Sequence, residues 1–272
     1  MCLSCLWIFK GRTGNADLSI PGLLLQTEAT HNNYGGGEGL HLGQSSQKVM
    51  KHVKTTVTNA GYKVMMKVLD TSDHGIPQSR ERAYIVAMDR AHKSKHAFHW
   101  PQPVKMMSAM TLMNGKNVKV GTAPCNSDMS RKNIEAALSA ATLKGLKPKK
   151  VPIFVDVGSS TKWSHWKEGT CLCITKARGS NGGHYVSTHN RKMSIDELFR
   201  FQGIRPDDVP WKESQISATN IGGAIGNAMS ANVLMRLVPR VLLVVGIIPA
   251  MPLDKFEDPA YIHFAYNLTD DE

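Results

Sequence analysis

The chain has little acid for its length. Its 272 residues hold 22 Asp or Glu against 33 Lys or Arg, a formal net charge of +11. An imbalance of this size points to an acidic partner. The shortage is local, because from Arg90 to Lys150 twelve Lys or Arg face only Asp128 and Glu135. A nucleic-acid face carries charge in this way, and so does a solvated surface loop. Cysteine is also scarce, and an odd total of five argues against a disulfide framework. Cys2 and Cys5 form a C-x-x-C, but no second pair follows at zinc spacing, so no metal site is expected. Cys171 and Cys173 alternate along what reads as a strand, sharing one face. Long hydrophobic runs are missing. Met1 to Phe9 and Val241 to Ala250 are too short to span a bilayer, and Arg236 and Arg240 interrupt any extension of the second. The expectation is a soluble intracellular protein, nuclear if eukaryotic, with no membrane partner.

What is present sorts into segments. Val49, Val53 and Val57 recur at near-helical spacing between Ser46 and Ala60, and Gly61 closes that helix. Tyr62 to Leu69 and Ala83 to Met88 read as strands joined by a polar connection, which fits the edge of an α/β sheet. Beyond Met88 the periodicity weakens, apart from a short helix around Asn133 to Leu143. Short strands are expected at Val151 to Val157, Cys171 to Thr175 and Tyr185 to Ser187, with Gly179 to Gly183 as a hairpin turn. Ser194-Ile195-Asp196-Glu197 is a capping box, and Gly203 ends the helix that it starts. Ile221 to Ile225 holds two glycines, and Gly226-Asn227-Ala228 leads into a helix from Met229 to Leu237. The acidic tail after Leu268 is expected to be disordered.

The most informative stretch runs Leu69-Asp70-Thr71-Ser72-Asp73-His74-Gly75-Ile76-Pro77-Gln78-Ser79-Arg80-Glu81-Arg82. Alternation places Gln78, Arg80 and Arg82 on one side of an extended segment. Two neighbouring guanidiniums repel unless an anion or an acceptor lies between them. A phosphate or base edge meets that need, and so does a salt bridge to Asp70, Asp73 or Glu81.

This stretch resembles the Gln-x-Arg-x-Arg motif of cytosine-5 DNA methyltransferases. Arg191 to Gly203, ending in Gln-Gly, resembles that family's next motif, and Ile221 to Ala231 its last. Phe98-His99-Trp100-Pro101 also sits where the family often has an aromatic followed by Trp-Pro. The likeness covers roughly Ser46 to Leu237. It implies a partial S-adenosylmethionine-dependent, Rossmann-like α/β sheet from 46–88 and 191–240, with an irregular, mainly β target recognition domain inserted at 89–190. Residues 1–45 form a poorly defined N-terminal segment and 241–272 a C-terminal tail. By resemblance Gln78, Arg80 and Arg82 line a pocket for a flipped cytosine, and Gly226, Asn227 and Ala228 lie on the S-adenosylmethionine side. Lys176, Arg178, Arg191 and Lys192 are the candidate contacts to double-stranded DNA.

The departures from the family bear on chemistry. Its nucleophile is a thiolate in a Pro-Cys-Gln loop, and this sequence has none. The one Pro-Cys, Pro124-Cys125, lies after the Gln-x-Arg-x-Arg motif. The Phe-x-Gly-x-Gly donor loop is missing, and Gly35 to Gly39 has no strand before it. Where the family's Glu-Asn-Val belongs, Gln26 stands in the place of the acid. The expectation is therefore the DNA-reading half of a methyltransferase, inactive alone, whose chemistry needs a complementing N-terminal half. A non-catalytic DNA-binding regulator is the second reading, and an RNA cytosine methyltransferase the third.

Overall fold

A computed structural model of the chain describes residues 3–9, 22–28, 44–114 and 127–257. Gly35 to Gly39, Pro124-Cys125 and the tail after Leu268 lie outside them. The chain divides into two compact units, Met1–Asp70 with Glu81–Gln102 and Val233–Asp254, and Thr71–Arg80 with Pro103–Asn232 and Lys255–Glu272.

The first unit is built on an antiparallel four-stranded sheet. Strands β1 (Leu3–Phe9), β2 (Gly22–Glu28), β3 (Tyr62–Asp70) and β4 (Glu81–Asp89) stand in the order β1-β2-β4-β3. Helix α1 (Gln44–Asn59) precedes β3, and Gly61, at φ +94°, makes the turn between them. Met66 stands opposite Ile85 and Val68 opposite Ala83, so their side chains share a face. Met50 and Val53 of α1 pack onto that face. The alternation that predicts this helix and both strands is thus satisfied by a helix-on-sheet layer. β4 is buried on both sides, with Tyr84, Ile85, Val86 and Ala87 at 1% exposure or less. That explains its uninterrupted apolar run. Helix α6 (Ala231–Val244) continues well past the expected end at Leu237. Val233, Leu237, Val241 and Val244 form one buried stripe along it, and Pro239 lies off that stripe.

The second unit holds a small antiparallel sheet in the order β6-β5-β7-β8, from β5 (Ile153–Val155), β6 (Trp166–Glu168), β7 (Tyr185–Val186) and β8 (Arg191–Lys192). Period-two alternation gives β5 two jobs. Ile153 and Val155 pack with Ala137 and Ala141 of helix α2 (Asp128–Leu143), while Phe154 joins the larger core with Val186, Phe201 and Ile225. Ser127 caps α2 by accepting from the Ser130 amide. Helix α4 (Ile195–Phe201) carries the expected capping box of Ser194 and Glu197.

Three expectations are corrected. Cys171 to Thr175 is no strand, because Cys171 makes one isolated bridge with Gln78 and the segment finds no further strand partner among the described residues. Cys171 is consequently buried and Cys173 half-buried rather than side by side on a sheet face. The run expected as a hairpin turn begins as helix α3 (Lys176–Ser180), which Thr175 caps. Finally, the glycines before Asn227 lie inside a helix, α5 (Ala218–Asn227), started by Ser217. Both reassignments have one cause. A Cβ on Gly179 would stand 1.9 Å from the Gly222 carbonyl oxygen, and one on Gly222 2.2 Å from that of Gly179. Helices α3 and α5 cross backbone to backbone, at a separation that only glycine permits. Each glycine inside α5 costs about 1 kcal/mol of helix propensity, and the close crossing offsets that cost.

Gly222→Ala should therefore destabilise the protein by about 2–3 kcal/mol through overpacking, read as a lowered urea midpoint. An unchanged midpoint would show that the crossing relaxes freely.

Candidate functional site

The C-terminus of a helix leaves carbonyls without intrahelical partners, and it carries partial negative charge. In α5 Ile225 and Gly226 are buried, so their carbonyls need donors within the protein. Gln202, just after α4, donates from Nε2 to the Ile225 carbonyl at 2.7 Å. Arg80 donates from Nη2 to the carbonyls of Ala228 at 2.8 Å and Gly226 at 3.4 Å, and from Nη1 to that of Ile174 at 2.7 Å. Gln78 completes the arrangement by donating from Nε2 to the Phe201 carbonyl at 2.6 Å and to Gln202 Oε1 at 3.3 Å. Gln78 is fully buried and Arg80 is 3% exposed.

The connection that carries Gln78 and Arg80 is itself pinned. Its backbone brackets Cys171, for the Cys171 amide donates to the Pro77 carbonyl and the Ser79 amide to the Cys171 carbonyl. Asn232 donates from Nδ2 to the carbonyls of Thr71 and His74, at 3.1 and 2.8 Å. Thr71 and Ser230 join their hydroxyls at 2.5 Å. Gly203, at φ +75°, passes so close to Asn232 that a Cβ would meet its amide nitrogen at 2.7 Å.

Of the three residues expected to line a cytosine pocket, Gln78 and Arg80 meet at this helix end. The acceptors that relieve the guanidinium of Arg80 include backbone carbonyls, which the sequence reading did not name. Arg82 lies on β4 in the first unit, opposite Leu69 of β3 and Glu28 of β2, and is 6% exposed. Its Nη1 donates to the Glu81 carbonyl at 2.8 Å. Asn227, the last residue of α5, is exposed, while Gly226 is buried and Ala228 half-buried. The open side of Gly226 is filled by chain, since a Cβ there would stand 2.2 Å from the Thr175 carbonyl oxygen.

The arginines expected to contact DNA are engaged within the fold. Arg191 makes a two-pronged ion pair with Glu197, Nη1 to Oε2 at 2.8 Å and Nη2 to Oε1 at 2.7 Å. Glu197 is fully buried and also accepts from the amides of Ser194 and Asn114. Arg178 pairs through Nε with Asp156 at 2.8 Å and donates from Nη2 to Ser159. Any phosphate contact by either side chain competes with these partners. Lys176 is exposed, and half-buried Lys192 donates from Nζ to the Asn181 carbonyl at 3.1 Å. The basic excess between Arg90 and Lys150, expected as a nucleic-acid face or a solvated loop, behaves differently. All ten described Lys and Arg between Arg90 and Lys150 are exposed.

Burial pushes the Cys171 thiol well above its ordinary range, with Cys173 and Glu197 adding to the effect. A protonated, buried thiol is no nucleophile. Burial also lowers His184 to about 4; Arg178 acts in the same direction and Asp156 against it. Among the described residues no group of three or more His, Cys, Asp or Glu is placed to hold a metal ion. The sequence reading missed Gln202 as a site residue, although the Gln-Gly that ends α4 was its signal. It also missed Asp156 and Asn232, which stand in no recognisable motif.

A family model described as C-5 cytosine-specific DNA methylase matches residues 40–242. The Type II methyltransferase M.SsoII of Shigella sonnei is 24% identical over 206 residues, 74% of this chain and 50% of that protein. The Type II methyltransferase M.NgoBI of Neisseria gonorrhoeae is 27% identical over 189 residues, 70% of this chain and 54% of its own length. The chain thus spans about half the length of these curated relatives. A solved structure of a Spodoptera frugiperda DNMT2 variant superposes with a TM-score of 0.52 at 12% identity, covering 82% of this chain and 67% of the other. That likeness is one of fold.

Two predictions arise from this site. Arg80→Ala strands several buried carbonyls and should cost about 3–5 kcal/mol. Because Gln78 serves the same helix end through Gln202, the double variant Gln78→Ala/Arg80→Ala should lose measurably less than the sum of the singles in urea unfolding. Simple additivity would show that the two side chains act apart. The second prediction concerns His184. Unfolded chain binds its proton below about pH 6.5 and the folded protein only near 4, so the stability from this group is complete above pH 6.5. It is lost as pH falls toward 4, by about 3 kcal/mol. Wild type should lose more of its melting temperature than His184→Gln across that window, and parallel curves would refute the assignment.

Proposed function

The chain belongs to the C-5 cytosine-specific DNA methylase family, and from that premise we propose that it carries the DNA-recognition part of a methyltransferase acting on cytosine C5. The observation that supports this reading most directly is the sorting of the cations. Buried Arg80 and half-buried Arg191 hold the fold, while every described Lys and Arg from Arg90 to Lys150 is exposed. Lysine is a strongly hydrated point charge suited to phosphate. A surface excess of this kind gives binding to the DNA backbone without regard to sequence.

The family transfers its methyl group from S-adenosylmethionine. Of the residues assigned to that donor by resemblance, Gly226 and Ala228 turn their carbonyls to Arg80, and Thr175 fills the open side of Gly226. Asn227 keeps an exposed side chain for one contact. The described residues therefore do not make a donor pocket by themselves. Nor does this sequence hold a Pro-Cys-Gln, and the Cys171 thiol is buried and protonated. The thiolate, the donor loop and the acid are assigned to protein outside this sequence, whether in one polypeptide or a second. The chain then binds DNA and does not methylate it alone.

Tritiated methyl transfer from S-adenosylmethionine onto duplex DNA, with binding followed in the same samples, tests both halves of this reading. The expected result is binding that weakens at least about tenfold between 50 and 200 mM salt, with no incorporation. Incorporation that persists in Cys125→Ala would overturn the assignment of the chemistry elsewhere. A flat salt response would overturn the assignment of the lysines to phosphate.

A further inference from the structure

Among the described residues, Trp163 is the one aromatic ring that lies mostly in solvent, at 61% exposure. A tryptophan left so exposed forgoes most of the apolar burial that usually holds the residue in place. Its surroundings are basic. Ser160 to Glu168 contains Lys162, His165 and Lys167 against one acid, Glu168 at the end of β6, and the end of α2 and its exit, Leu143 to Lys150, adds four lysines and no acid. The two segments adjoin, because Lys144 Nζ lies 4.8 Å from the centre of the Trp166 ring. Lys162 Nζ lies 5.3 Å from the centre of the Trp163 ring. This face is also rigidly based. Ser130 of α2 donates to the Val157 carbonyl and Asn133 to that of Ser159, and β6 runs antiparallel along β5.

A flat, electron-rich ring beside the Lys162 ammonium group, with the lysines of the adjoining segment outnumbering Glu168, suits a planar base on a phosphate backbone. Base–aromatic stacking tolerates any sequence, because every base has a π-face. Paired bases inside a duplex keep their faces covered, so the fitting ligand is an unpaired nucleotide. We propose that Trp163 and the lysines around it form a second nucleic-acid site, one that stacks an unpaired base of a DNA strand. This rests on the DNA-binding reading above and adds a strand state to it. A protein whose family extrudes a base from the helix meets locally unstacked DNA at its own target.

The full chain is titrated by fluorescence anisotropy with a labelled mixed-sequence 16-mer, single-stranded or annealed to its complement. Trp163→Ala should lose roughly tenfold in affinity for the single strand and less than twofold for the duplex. Trp163→Phe should keep most of the single-strand affinity. The fluorescence quench on adding the single strand should shrink in Trp163→Ala. An exposed side chain makes misfolding an unconvincing cause, and unchanged duplex binding controls for it directly. Wild-type affinity of Trp163→Ala for the single strand overturns the stacking site and leaves the salt-dependent duplex reading intact. An equal loss on both ligands also overturns it, because charge or folding would then be responsible. If wild type binds neither ligand, both readings fall together.

Discussion

A helix end that is buried must find donors for its carbonyls, and the second unit is organised around meeting that requirement for α5. Leaving such groups unpaired costs about 1–3 kcal/mol each. The carbonyls of Ile225, Gly226 and Ala228 are served by Gln202 and Arg80, two side chains far apart in sequence. Gln78 holds Gln202, the Cys171 backbone brackets Gln78, and Asn232 holds the connection from the other side. The same side chains also serve carbonyls outside α5, Gln78 that of Phe201, Arg80 that of Ile174 and Asn232 those of Thr71 and His74, which ties the helix end to the chain around it. Arginine suits the task because one planar fork reaches several carbonyls, while its fixed charge complements the negative end of the helix.

The same logic divides the cations by place, with Arg90 and Arg131 exposed among the lysines of the central segment. Arg191 meets Glu197 with both terminal nitrogens, and Arg178 uses Nε on Asp156, as a rigid fork does best. The exposed lysines of the central segment have flexible stems and hydrated heads, which adapt to a phosphate backbone of any sequence. Charge counting alone treats the two residues alike. Their placement shows one set shaping the fold and the other facing solvent.

Much of this was legible in the sequence where a local rule acts alone. Apolar spacing gave α1, β3 and β4, Gly61 gave the turn between α1 and β3, and Ser194 with Glu197 gave the start of α4. The errors fall where distant chain decides the outcome. Cys171 to Thr175 has strand composition, yet its partner is the single residue Gln78. Gly179 to Gly183 has turn composition, yet Gly179 is small because Gly222 passes over it. In the site, alternation put Gln78, Arg80 and Arg82 on one side of an extended segment and asked for an anion or acceptor between the two guanidiniums. It could not say that those acceptors include main-chain carbonyls near residues 201 and 226, since backbone oxygens leave no mark in a sequence.

The glycine crossing of α3 and α5 has a consequence for how such a protein can change over generations. Positions 179 and 222 accept a side chain only at a cost in stability, so drift there is held back. The neighbouring outward residues, Lys176 and Ala177, are exposed and carry no such restriction. Variation is thereby channelled onto the outer surface of a short helix whose seating cannot wander. New surface chemistry can be tried there one residue at a time without reopening the frame beneath it.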